Sequence, residues 1–260
     1  YAKYFQNRYC KTTCYKAKRT VIFYNFFLQG KHSLKSCNKY KEMKILNLYA
    51  CLGGNRFKWG DEHEITAVEL DSELARMYQE RFPNDTVIVA DAHQYLLDHY
   101  KEFDFIWSSP PCPTHSKSRF WAYGKTMPVF PDMTLYEEII FLQHHAPENI
   151  KWVVENVDGY YEPLIQATKL GRHLFWSNFK LPNIDKKDVT GKMNFESKYQ
   201  PLKDFHKIEK FDYKGEQNKL KILRNLVDYE LGYEILNAAM NIPPKRIMES
   251  LFDDQFTELM

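Results

Sequence analysis

The chain has 260 residues, of which 44% are hydrophobic, 27% charged and 16% aromatic, with a formal net charge of +2. Such a composition belongs to a folded globular chain and excludes a disordered or fibrous one; no apolar run approaches the roughly 18 residues that a membrane-spanning helix needs. The charge is uneven: residues 1–42 hold ten Lys and Arg against one acid, Glu42, so the remainder is net acidic.

The opening segment shows no helix or strand period. Residues 21–28 imitate the apolar core of a secretory signal, but Tyr24 and Asn25 interrupt it and no small-x-small cleavage site follows. Cys10, Cys14, His32 and Cys37 can be sketched as a zinc site, although their spacing fits no common pattern. The simpler expectation is that Met43 opens the natural protein. Residues 1–42 are then a basic arm or translated upstream sequence, and residues 43–260 form one domain. Five cysteines without a framework read as reduced thiols in a cytoplasmic protein.

From Met43 the pattern is regular. Residues 44–49 read as a buried strand, followed by a Gly-containing turn at 51–55. Residues 65–69 form a second strand, and Asp71 or Ser72 then caps a helix with Leu74, Met77, Tyr78 and Phe82 at helical spacing. A third strand at 86–89 and a short helix at 94–100 follow. A fourth strand at 103–107 leads into Ser108-Ser109-Pro110-Pro111-Cys112-Pro113. A helix at 135–145, a strand at 151–155 and a βα-like stretch through 164–170 to 174–176 complete the series. Strands alternating with helices predict an α/β fold, a doubly wound Rossmann-like parallel sheet with helices on both faces. In that architecture ligands sit beyond the carboxyl ends of the strands. Gly53 and Gly54, Glu69 and Asp71, Asp91, Cys112, and Glu155 with Asn156 all fall at those ends.

Several of these residue types suggest chemistry. An acid ending the second strand can accept both ribose hydroxyls of a nucleoside cofactor. The Gly pattern is not that of a dinucleotide binder, because Cys51 stands where an initial Gly belongs, so a nicotinamide or flavin is disfavoured. Asp91 reads equally as a helix cap and as an adenine contact. Cys112 sits in a rigid proline-rich loop, where a reactive thiolate is presented more readily than within a buried element. An acid at the end of a buried strand needs a partner or a function, and Glu155 on strand five neighbours the loop of strand four.

With those residues in place, the chain resembles the DNA (cytosine-5) methyltransferase family. Leu48-Tyr49-Ala50-Cys51-Leu52-Gly53-Gly54-Asn55 is similar to its Phe-x-Gly-x-Gly-Gly motif. Val68-Glu69-Leu70-Asp71 resembles its ribose-binding motif, and Asp91-Ala92 its adenine-binding one. Ser109-Pro110-Pro111-Cys112 resembles the catalytic Pro-Cys motif, with Ser116 at the downstream serine. Glu155-Asn156-Val157 matches Glu-Asn-Val, and Arg224-Asn225-Leu226-Val227 resembles the late Gly-Asn-x-Val motif. Cys51 and Arg224 replace family glycines, and either Arg172 or His173 stands for the catalytic arginine.

The resemblance implies a methyltransferase-type fold with a small recognition insert at 180–219, and S-adenosylmethionine as cofactor with no metal. Cys112, Glu155, Asn156 and Arg172 are the implied catalytic group. The implied cofactor contacts are Tyr49, Gly53, Gly54, Asn55, Glu69, Leu70, Asp91, Ala92, Pro111, Asn225 and Val227. Double-stranded DNA is the implied partner, its target cytosine flipped out of the stack, and a monomer without membrane attachment is expected. A compact bacteriophage or prokaryotic enzyme, such as one of a restriction-modification pair, fits the size. Residues 180–224 carry twelve bases and seven acids, including Lys186, Lys187, Lys192, Lys198 and Lys203, and suit a DNA-facing surface. Competing readings are an exocyclic amino methyltransferase, a transfer RNA cytosine-5 methyltransferase and a catalytically silent nucleic-acid-binding module. The amino enzymes need a stacking aromatic where Cys112 stands.

Overall fold

The computed structural model describes residues 42–183 and 199–242, all within the unit Lys41–Met260. The arm at 1–41, with its sketched zinc ligands, lies outside the described residues, as do Lys186, Lys187, Lys192 and Lys198.

The elements run β1 (Lys44–Leu48), β2 (Glu64–Glu69), α1 (Ser72–Arg81), β3 (Thr86–Val89), α2 (Ala92–His99), β4 (Phe105–Ser108), α3 (Ser118–Trp121), α4 (Thr134–His145) and β5 (Lys151–Val157). They continue with β6 (Thr168–Leu170), β7 (His173–Ser177), α5 (Tyr199–Phe205), α6 (Lys219–Asn225) and α7 (Tyr229–Ala239). Seven strands form one sheet in the order β3-β2-β1-β4-β5-β7-β6. The sequence order reverses between β1 and β4, so the carboxyl ends of those two strands flank the crevice where such folds take ligands.

Alternation along each strand decides which layer it serves. Leu46, Leu48, Ile106, Trp152 and Val154 point to one face, where they meet Leu96 of α2 and Leu135, Ile139 and Leu142 of α4. Ile45, Phe105, Trp107, Val153 and Phe175 point to the other and meet Ile235, Leu236 and Ala239 of α7. Strands apolar on both faces are those of a sheet covered on both sides. Glu155, two residues after Val153, therefore belongs to the α7 face.

Three expectations change. The sheet is mixed, because β7 runs antiparallel to both β5 and β6. The stretch read as βα is a hairpin: Leu170 pairs with His173, and Gly171, at φ 59°, makes the two-residue turn. A turn that short cannot provide the crossover of a dozen or more residues that a parallel pair requires. Glu155 does not end its strand; β5 continues to Val157, and Glu155 pairs with Phe175. The described part of the expected recognition insert, from Tyr199 onward, packs onto the body of the domain. Leu202, Ile208, Phe211 and Tyr213 share a core with Leu52, Leu74 and Met77, because their apolar side chains need burial that so short an insert cannot supply alone. Among the described residues no helix is long and apolar enough to cross a membrane.

Candidate active site

β4 ends at the fully buried Ser108, in register with Leu48 on one side and Val154 on the other. The chain beyond it is stiffened by Pro110, Pro111 and Pro113, and hydrogen bonds hold it. Trp107 Nε1 donates to Ser109 Oγ at 2.9 Å, and Asn156 Nδ2 donates to the Pro110 carbonyl at 3.0 Å. The Cys112 carbonyl accepts the N–H groups of His115 and Ser116, each at 3.0 Å. Asn156 thus orients the loop that carries the thiol.

The half-buried Cys112 faces a cavity of about 350 Å³ that also receives Glu155, Asn156, Arg172 and His173. Glu155 reaches it because β5 extends beyond the last pair it makes with β4, Ser108 with Val154. Arg172 reaches it from the hairpin tip, where its guanidinium donates to the Arg224 carbonyl. Burial lifts the Glu155 carboxyl to about 7, against the opposing pull of the Ser109 hydroxyl and Arg172. Burial and then Glu155 also raise the Cys112 thiol, while Lys221 and Arg172 pull it down. His173 Nδ1 lies 3.2 Å from Glu155 Oε1. This is not an ion pair: burial and Arg172 hold the imidazole at about 3, so it is neutral near pH 7. Of these two hairpin residues Arg172, not His173, brings positive charge to the cavity, which Lys221 and Arg224 also line.

A second cavity, of about 820 Å³, opens beside the first, and the two share Tyr49, Glu69, Pro111 and Gln217 as lining residues. Glu69 Oε2 accepts the Cys51 N–H at 2.8 Å and Oε1 accepts the Asp71 N–H at 2.9 Å, so one carboxylate ties the turn after β1 to the turn after β2. Leu70, 69% exposed, lies on the rim, and Asp91 and Ala92 line the same cavity. Asp91 also caps α2 through the Gln94 N–H, so the two uses left open for it are compatible. Gly53, Gly54, Asn55 and Val227 line neither cavity. Gly54 lies against the Val227 carbonyl, and Asn55 Nδ2 donates to Asn47 Oδ1 at 2.8 Å. They build the turn rather than the cavity wall. Asn225 lines the smaller cavity with Cys112.

Three side chains at or beside this site escaped the sequence reading. Glu138 of α4 is 1% exposed and accepts from the Tyr49 hydroxyl at 2.6 Å and from Ser108 Oγ, with His93 Nδ1 3.1 Å away. The signal was an acid on the apolar stripe of Leu135, Ile139 and Leu142, where a carboxylate is costly unless partnered. Tyr213 and Gln217 wall the larger cavity; no pattern marked them.

Residues 43–163 match the sequence model of the C-5 cytosine-specific DNA methylases. That stretch, a little under half of the chain, is what is similar to this family, and it contains both Cys112 and Glu155. Comparison with curated protein sequences finds no match. Among solved structures, the chain is similar to a putative methyltransferase, yhhF, from Escherichia coli, at 14% identity and TM-score 0.36, covering 52% of this chain and 74% of that one. It is also similar to a TehB-like SAM-dependent methyltransferase from Corynebacterium glutamicum, at 16% identity and TM-score 0.32, over 48% and 60% of the two chains. A DNMT2 variant from Spodoptera frugiperda shares 24% identity at TM-score 0.32, over 45% of this chain and 36% of that one.

The methyl donor that this similarity implies is S-adenosylmethionine, and the larger cavity suits it. Each Glu69 oxygen keeps a lone pair for one of two vicinal hydroxyls after accepting its backbone N–H. The exposed Leu70 offers an apolar surface to a base. Glu69, Asp71, Asp91 and Asp132 make the cavity acidic, as a ligand of net positive charge requires.

Proposed function

We propose that this protein transfers a methyl group to carbon 5 of a cytosine in double-stranded DNA through a covalent bond from Cys112. The observation that carries the reading is the meeting of Cys112, from the loop after β4, and Glu155, from the neighbouring strand β5, in one cavity that shares a wall with the larger one.

The thiol of Cys112 adds, as thiolate, to carbon 6 of the ring; the S–C6 bond forms as the 5,6 double bond becomes single, leaving carbon 5 nucleophilic. Glu155, which burial keeps partly protonated near pH 7, gives a hydrogen bond or proton to ring nitrogen 3 as negative charge develops there. Arg172 and Lys221 favour the thiolate at the moment it forms. Asn156 holds the Pro110–Cys112 backbone in place. When bound, S-adenosylmethionine supplies the electrophilic methyl group. Loss of the carbon 5 proton and expulsion of the Cys112 thiolate then restore the aromatic ring. A duplex hides carbon 6 within the stack, so the target nucleotide must leave it to reach Cys112. The basic stretch 180–224 is the surface we assign to the DNA backbone.

A duplex carrying 5-fluorocytosine tests this, because fluorine cannot leave as a proton does. With S-adenosylmethionine present, the chain should be trapped as a covalent complex. Cys112→Ser should abolish the trap, and Cys51→Ser should still form it. Normal turnover by Cys112→Ser refutes the covalent step. Methylation of transfer RNA but not of DNA refutes the DNA assignment alone.

A further inference from the structure

Residues 206–218 join α5 to α6, and 211–217 among them have no regular structure. They lie within the stretch whose sequence suggested target recognition, yet residues 213 and 215–217 wall the larger cavity. Tyr213 anchors them. Its ring is 2% exposed, packed in the core that contains Leu52, Leu74 and Ile222, and its hydroxyl donates to Asp71 Oδ2 at 2.5 Å. The Gln217 N–H returns to the Tyr213 hydroxyl at 3.2 Å, and Gln217 Nε2 donates to the same Asp71 oxygen at 3.1 Å. Gly215 lies inside this loop, where a Cβ would come within 2.2 Å of the Tyr213 hydroxyl oxygen. No other residue fits there without opening the loop.

The other Asp71 oxygen caps α1 through the Glu73 and Leu74 N–H groups, at 3.0 and 3.3 Å. The Asp71 N–H is the one that Glu69 holds. Glu69, Asp71, Tyr213 and Gln217 therefore form one hydrogen-bonded chain along the cavity wall. Burial opposes ionisation of Asp71, but the hydrogen bonds from Tyr213, Leu74, Gln217 and Glu73 outweigh it and hold the carboxyl below its ordinary value. The acceptor is thus charged near pH 7, which strengthens each bond it receives.

We propose that residues 213–217 are a strap latched on Asp71 that retains the methyl donor, with Tyr213 and Gln217 as its positioning residues. The proposal rests on the reading of the larger cavity as the donor site. Gln217 lines both cavities, and α6 begins two residues later, carrying Lys221 and Asn225 into the wall around Cys112. A latched strap therefore sets the donor wall and the acceptor wall together.

The test uses the full chain and S-adenosylhomocysteine, measured by calorimetric titration and by hydrogen exchange. Tyr213→Phe keeps the buried ring and deletes only the hydroxyl. Its Kd should rise roughly ten-fold, as expected when a hydrogen bond to a charged group is lost. The protection that the ligand adds to residues 213–217 in the wild type should be lost. In turnover, KM for S-adenosylmethionine should rise by a larger factor than kcat falls. Gln217→Met, which spares the aromatic anchor, should weaken binding in the same direction. If Tyr213→Phe binds within two-fold of wild type, the strap is overturned, even if its melting temperature drops. Absence of binding by the wild-type chain overturns the donor-site reading itself.

Discussion

Replacing Glu155 by Gln should stabilise the fold above neutral pH while disabling the chemistry. The carboxyl is 6% exposed and has been lifted from its ordinary 4.5 to about 7. At about 1.4 kcal/mol for each pH unit, that is a preference of about 3 kcal/mol for the neutral form in the folded state. The folded value is the higher one, so the stability it confers is complete below pH 4.5 and is lost as the pH rises through 7. Gln carries no charge at any of these pH values, has nearly the same shape, and can still accept from the Ser109 hydroxyl. The difference in unfolding free energy between Glu155→Gln and wild type should thus be flat below pH 4.5. It should grow in favour of the variant by about 3 kcal/mol by pH 9. Urea denaturation followed by tryptophan fluorescence at pH 4.5, 6, 7.5 and 9 gives that difference, in which titrating groups that do not interact with Glu155 cancel; Cys112 does interact with it, so the comparison is made in a Cys112→Ser background. Methyl transfer, measured with Cys112 intact, should fall at least about a hundred-fold, the scale of a lost general acid. Parallel pH profiles for the two proteins would show that the carboxyl is ionised at neutral pH, and Glu155 could not then serve as the proton donor to the base.

Glu69→Ala removes both the hydroxyl acceptor and the tie between the turns after β1 and β2, and S-adenosylmethionine should bind at least about ten-fold more weakly by calorimetry. Cys51 adopts φ 48°, a left-handed conformation unfavourable to any residue with a Cβ, so Cys51→Gly should raise stability by about 0.5–1 kcal/mol, read as a higher urea midpoint. Glu138→Ala strands the Tyr49 and Ser108 hydroxyls in a buried site and should cost about 3 kcal/mol, with Glu138→Gln recovering part of it in the same denaturation assay.

The sequence alone determined the order of elements as far as β5 except for the short α3, which has neither a side-chain cap nor a buried stripe to mark it; the strands up to that point are short apolar runs, and the longer helices carry a cap or a stripe. Asp71 and Asp91, for example, do cap α1 and α2. It also determined that Cys112 and Glu155 would be neighbours, because consecutive parallel strands bring their carboxyl ends to one edge. The mixed end of the sheet was not legible: the apolar residues of 164–176 suit either a crossover or a hairpin, and the left-handed turn at Gly171 chose the hairpin. That choice placed Arg172 at a tip facing Cys112 and buried His173 as a neutral ring. Tertiary structure alone also decided which motif residues line a cavity and which only pack in or against the turn after β1, as Asn55 and Val227 do. Glu138 and Tyr213 entered the site the same way. Both act through hydrogen bonds to residues 89 and 142 positions away, and local periodicity carries no information about partners so distant.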